Sequence, residues 1–138
     1  MSGYLLDTNV CIQLLTGRIP AVTEQFLEHD PKDIFICSIV RAELEYGARH
    51  SRQVDENLKL LTQFCEPLVS LPFDDRCAEQ YGLIREDLTR KGTLIGANDF
   101  LIAATAVAHG LILVTHNLRE FRRVVGLSLE DWENPLNS

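Results

Sequence analysis

Short apolar runs that each stop at a polar residue, with helical patterns between them, constrain this chain more than any other feature. Tyr4-Leu5-Leu6 stops at Asp7, Ile34-Phe35-Ile36-Cys37 stops at Ser38, and Ile112-Leu113-Val114 stops at Thr115. Leu68 to Leu71 is a further candidate strand, and Leu127-Ser128-Leu129 is a candidate terminal one with Trp132 packing behind it. A strand that is apolar on both faces has to be covered on both, which is the condition of a parallel sheet. The segments between read as helices. Val10 to Leu15 is closed by Gly17, and Pro20, favoured at a first helical position, opens a helix running to about His29. Ser38 is placed to cap a helix over Val40 to Ala48. Leu58, Leu61 and Cys65 mark one face of a helix from about Asp55, and Cys77, Tyr81, Ile84 and Leu88 recur at helical spacing up to Lys91-Gly92. Asn98 is placed to cap an Ala-rich helix that stops at His109-Gly110, and a short helix is expected around Arg119 to Arg123. This alternation predicts an α/β fold, a parallel sheet with helices on both faces, and no linker or repeat divides residues 1–138 into more than one domain.

Composition narrows the functions open to such a fold. The chain has 138 residues, enough to bury a core without staples, and 13 basic against 20 acidic residues give a net charge of −7. That balance excludes a polybasic coat for nucleic acid, though not nucleic acid met through metal ions. Four cysteines, at 11, 37, 65 and 77, form no CxxC pair and have no adjacent histidine, so they read as reduced core residues. A zinc site would need tighter ligand spacing. The N-terminus has neither a basic nor an apolar leader region, and the longest uncharged run, Phe100 to Thr115, is shorter than the ~20 residues of a membrane span. A soluble, cytoplasmic protein is expected, with no membrane partner.

The carboxylates follow the strands. Asp7 comes directly after the first strand, and Glu43 lies about one and a half turns past Ser38. Asp99 sits in the first turn of the Ala-rich helix, which is ~18 Å long and returns into the Ile112 strand through a short turn. Helix and strand must then run antiparallel, so Asp99 falls near the carboxyl end of that strand, where Thr115 and Asn117 also lie. Open α/β sheets bind ligands beyond that edge. Three carboxylates so placed repel, by on the order of 4 kcal/mol per pair at 4 Å and an effective dielectric near 20, unless a proton or a cation intervenes. All-oxygen donors favour Mg²⁺ or Mn²⁺ over zinc, and a pair of such ions ~3.5–4 Å apart hydrolyses phosphodiesters. The plainer reading keeps Asp7 as a helix cap and Asp99 as a charge at a helix N-terminus.

Four segments carry a resemblance. LLDTN (Leu5 to Asn9), SIVRAELEYG (Ser38 to Gly47), IGANDFLIAA (Ile95 to Ala104) and LVTHNLREFRRVVGLSLEDW (Leu113 to Trp132) resemble, in order and over essentially the whole chain, PIN-domain ribonucleases of the VapC toxin type. The resemblance implies a small doubly wound parallel sheet whose acids bind Mg²⁺ or Mn²⁺ and cut RNA, either tRNA or rRNA. Asp7, Glu43 and Asp99 match the three most regular carboxylates of that family. Asn117 stands where many members carry a fourth acid. An amide is the weaker ligand, so one or two ions are expected. Thr8, Asn9, Ser38 and Thr115 match polar residues that orient ligands or waters. The resemblance also implies a homodimer held inactive by a VapB-type antitoxin, whose C-terminal segment covers the acidic cleft. Val10, Ile12, Leu14 and Leu15 serve as part of that groove or as core. A PIN nuclease without a toxin role and a non-catalytic PIN scaffold are the rival readings, and intact Asp7, Glu43 and Asp99 argue against the scaffold. Of the remaining charges, Arg85, Arg90, Lys91 and Glu45 read as solvated helix residues and His116 as a bystander. Arg119, Arg122 and Arg123 either grip phosphate or form a surface face.

Overall fold

The computed structural model describes residues 3–135, so the ends of the 1–138 domain expected above lie outside the described residues. Five strands, β1 (Tyr4–Leu6), β2 (Ile34–Cys37), β3 (Val69–Leu71), β4 (Ile112–Val114) and β5 (Ser128–Glu130), form one sheet in the order β3-β2-β1-β4-β5. Every neighbouring pair is parallel, with Leu6 opposite Val114 across β1 and β4. The helices are α1 (Thr8–Thr16), α2 (Pro20–Leu27), α3 (Ser38–Arg49), α4 (Val54–Cys65), α5 (Asp75–Lys91), α6 (Ala97–His109) and the short α7 (Leu118–Phe121). Leu5, Leu6, Ile34, Ile36 and Leu113 are fully buried, as two-sided coverage of the strands requires. Trp132 closes the core behind the last strand. All four cysteines are free and buried. No helix among the described residues is long and apolar enough to cross a membrane.

The sheet is wound in two directions from β1. The chain moves through β2 to β3 on one side, then returns to place β4 and β5 on the other. A crevice at the carboxyl ends of β1 and β4 is the consequence, since the helices after these strands diverge to opposite faces. The connection from α6 into β4 sets the geometry there. Gly110 adopts φ 63°, and the Leu111 N–H donates to Ala106 O at 2.9 Å, so the helix ends in one tight left-handed turn.

Two expected caps are differently placed. Strand β2 runs into α3 with no intervening residue, so Cys37 is the N-cap and Ser38 is the first helical residue. The Ser38 hydroxyl instead donates to Leu71 O at 3.3 Å, tying the start of α3 to the end of β3. At α6 the N-cap is Gly96, and Asn98 lies inside the first turn. Gly96 leaves room that a side chain would take, because a Cβ there would meet Asp99 Oδ2 at 3.1 Å. Glu45 also departs from a freely solvated residue, lying 3.3 Å from Arg41 and 3.5 Å from Arg49 on its own helix. Arg85, Arg90 and Lys91 engage Tyr81, Glu86 and Asp87 four residues earlier, as a solvated helix face does.

Candidate active site

Asp7 leaves β1 in extended conformation and caps α1, its Oδ1 accepting from the Val10 N–H at 2.9 Å. Its own N–H donates to Val114 O at 3.1 Å, which ties the position to the end of β4. The cap function weighed from the sequence is therefore present, but it does not account for the electrostatics. Asp7 is only 6% exposed, and its pKa is pushed up to about 6. Burial is the largest cause, the charges of Asp99 and Glu43 add to it, and hydrogen bonds from Thr115 and Val10 oppose it. A residue that served only as a cap would feel neither of the other two acids.

Glu43, on α3, accepts a hydrogen bond from the Thr8 hydroxyl at the start of α1. Asp99, in the first turn of α6, is half-buried, and its pKa is also raised. Burial comes first among the causes, then the charge of Glu120, then that of Glu43. Four segments distant in sequence thus deliver mutually repelling carboxylates to the crevice where the winding reverses. The Thr115 hydroxyl stands between two of these segments. It bonds Asp7 and accepts from the Asn117 N–H at 3.0 Å. Asn117 Nδ2 donates to Glu120 Oε2 at 2.6 Å, and because a carboxylate there only accepts, the amide is held with Oδ1 as its remaining acceptor. Asn9 lies on the rim, lining the cavities on either side of the acids. Ser38 is not brought to the carboxylates by any contact, its hydroxyl being engaged by Leu71 O.

Glu120 is the residue that sequence reasoning missed. The sequence reading assigns it no role. The available signal was its position three residues after Asn117, which puts both on one side of a short helix. With Glu120 the local count is four carboxylates, so the amide at Asn117 does not leave the cluster one acid short.

The donors here are hard oxygens, and the ionised form of Asp7 is disfavoured by burial and by two like charges. That is the chemistry a divalent oxygen-loving cation relieves. The three sequence-predicted acids do not form a closed cage, because the only group of three metal-ligand side chains within 4.8 Å among the described residues is Asp74, Cys77 and His109. That group lies where α5 begins and α6 ends, away from Asp99, and it brings together a cysteine and a histidine 32 residues apart in sequence (109 − 77). Packing of α6 against α5 brings His109 beside the first turn of α5. The cation there is Arg76, 3.3 Å from His109 Nδ1 and 4.0 Å from Asp74 Oδ2.

Residues 4–127 match the PIN domain. Over 132 residues the chain is 39% identical to ribonuclease VapC2 of Haemophilus influenzae, covering 96% of this chain and 99% of that one. The tRNA(fMet)-specific endonuclease VapC of Salmonella typhimurium is 39% identical with the same coverage. Among solved structures, DNA-bound VapBC from Salmonella typhimurium superposes with a TM-score of 0.90 at 39% identity, covering 96% of this chain and 99% of that one. VapBC2 from Rickettsia felis, bound to a promoter DNA fragment, gives 0.87 at 39% identity with the same coverage. PIN nucleases are generally dependent on divalent metals, which the oxygen donors found here fit. The chain belongs to the PIN-domain family, in its VapC ribonuclease branch.

Proposed function

We propose that this protein is a Mg²⁺- or Mn²⁺-dependent endoribonuclease and the toxin of a VapBC-type pair, acting in the cytoplasm with residues 1–138 as one PIN domain. The observation that carries the reading is the electrostatic coupling of Asp7, Glu43 and Asp99 at the point where the sheet winding reverses. Asp7, Glu43 and Asp99 hold the metal, with Glu120 and the Asn117 Oδ1 completing its surroundings. Bound divalent ions supply a water of lowered pKa and stabilise the oxygens that attack and leave. The protein's part is to aim these donors. Thr8 fixes Glu43, Thr115 fixes Asp7 and the Asn117 backbone, and Asn9 stands at the rim for substrate.

The relatives named as tRNA(fMet)-specific favour tRNA over rRNA as substrate. An apolar groove lined by Ile12, Leu15, Leu44, Ala48, Leu60 and Leu61 also reaches Glu43, and it suits a helical antitoxin segment entering toward the acids. Val10 is core, but Ile12 and Leu60 are 43% and 45% exposed, which is the wrong place for residues with only a packing role. A homodimer completes the proposal. The test is end-mapping of cellular RNA after brief induction of the protein without its antitoxin. One recurrent tRNA cut, lost in Asp99→Asn, is expected. Intact tRNA alongside cut rRNA would overturn the substrate, and intact RNA throughout would overturn the activity.

A further inference from the structure

Beside the acids a cavity of about 520 Å³ has Asp7 and Asn117 in its wall, so a strand lying in the acidic crevice enters it. Arg18, also in the wall, has charge and bonding capacity that the protein does not use. Arg18 follows Gly17 at the end of α1, is exposed, and has no ion pair or side-chain hydrogen bond among the described residues. Gln13 donates Nε2 to Glu133 Oε2 at 2.8 Å, while its Oε1 is buried without a partner. Because a carboxylate accepts and cannot donate, that bond fixes the amide's orientation, with Oε1 buried. Glu133 is itself engaged by Gln13, with His116 Nδ1 at 3.7 Å, and His116 is held by Asp131 at 3.0 Å. Among the described residues, Arg18 is thus the cation of this wall that has no ion pair.

We infer that this cavity is the subsite for a ribonucleotide next to the cleaved phosphodiester. Arg18 takes a backbone phosphate there. Asn9, Ile12, Gln13 and Thr16 follow at i, i+3, i+4 and i+7 along α1, so a single helical face supplies one side of the subsite. In a chain of net charge −7, a free guanidinium beside the acids is what binds the phosphate next to the one being cut. The inference rests on the RNA-cleaving reading, and its test is chosen to fail separately from it.

A labelled single-stranded RNA oligonucleotide titrated into Asp99→Asn protein, with Mn²⁺ present, reads binding without turnover. Adding Arg18→Ala is expected to weaken binding about fivefold and to reduce the slope of log K against log salt by ~0.7, one single-strand phosphate contact. Arg52→Ala, at the far end of α3, is expected to change neither quantity. In the cutting protein Arg18→Ala raises KM with kcat within about twofold. Equal affinity and salt slope for Arg18→Ala, or an equal effect from Arg52→Ala, overturns the subsite. So does an Arg18→Ala protein that loses only antitoxin binding. A wild-type protein that binds the oligonucleotide through Arg18 but never cuts it overturns the proposed function and leaves the subsite standing.

Discussion

The pKa of Asp7, displaced from 3.8 to about 6, carries a consequence for stability. A carboxylate whose folded pKa lies above its unfolded value contributes stability that is complete below pH ~4 and is lost as pH rises through ~6, worth about 3 kcal/mol in all. Metal-free protein is therefore expected to be less stable at pH 7.5 than at pH 5. Asp7→Asn, which keeps an oxygen for the Val10 N–H, should remove most of that slope while abolishing RNA cleavage. Urea denaturation in chelator at the two pH values checks it, and an unchanged slope in Asp7→Asn would place the repulsion elsewhere. Glu120 gives a second case. Its charge raises the pKa of Asp99 and its carboxylate holds the Asn117 amide, so Glu120→Gln should increase the Mn²⁺ concentration for half-maximal cleavage several-fold. A metal titration of the two proteins decides it. Asp7 and Asp99 were legible in the sequence because one follows a strand and the other lies in a helix's first turn, and Glu43 because it lies one and a half turns into the helix after the second strand. Glu120 was not, since its approach depends on the short α7 turn beyond β4, which no apolar periodicity marks.

At the scale of elements, strand and helix identities followed from apolar runs and helical spacing, but two caps did not. Ser38 and Asn98 have the right chemistry for capping, yet β2 enters α3 without a spare residue, and the cap of α6 falls two residues earlier, on Gly96. Backbone continuity outweighed side-chain preference at both. Gly96 and Gly110, at the two ends of α6, should separate function from stability. Gly96→Ala meets no backbone strain, since φ is −58°, but its Cβ would press on Asp99 Oδ2, and cleavage is expected to fall about tenfold with little change in Tm. Gly110→Ala forces a side chain to φ 63° in open space, and should cost about 1 kcal/mol while leaving kcat near wild type. Melting curves and cleavage rates on both variants test the pair, and the opposite assignment of effects would contradict this account of α6.

For the molecule as a whole, an acidic chain that handles a polyanion needs positive charge from outside its own side chains, and the crevice supplies the oxygens to hold it. Cation binding to the native state alone should raise the unfolding free energy by about 2.7 kcal/mol at a hundred times its dissociation constant. Thermal melts across a Mn²⁺ titration should show that rise in wild type and lose most of it in Asp99→Asn. Under the proposed function, the apolar groove that reaches Glu43 would bring an antitoxin segment next to this same charge cluster, where one short segment would block metal and substrate together. The central claim, that the carboxylates cut RNA through metal-activated water, is tested most directly by the chemistry of the product ends. Cleavage of a defined RNA in Mn²⁺ should leave a phosphate monoester and a free hydroxyl, cease in chelator, and cease in Asp7→Asn. A 2′,3′-cyclic phosphate end, or cutting that continues in chelator, would contradict it.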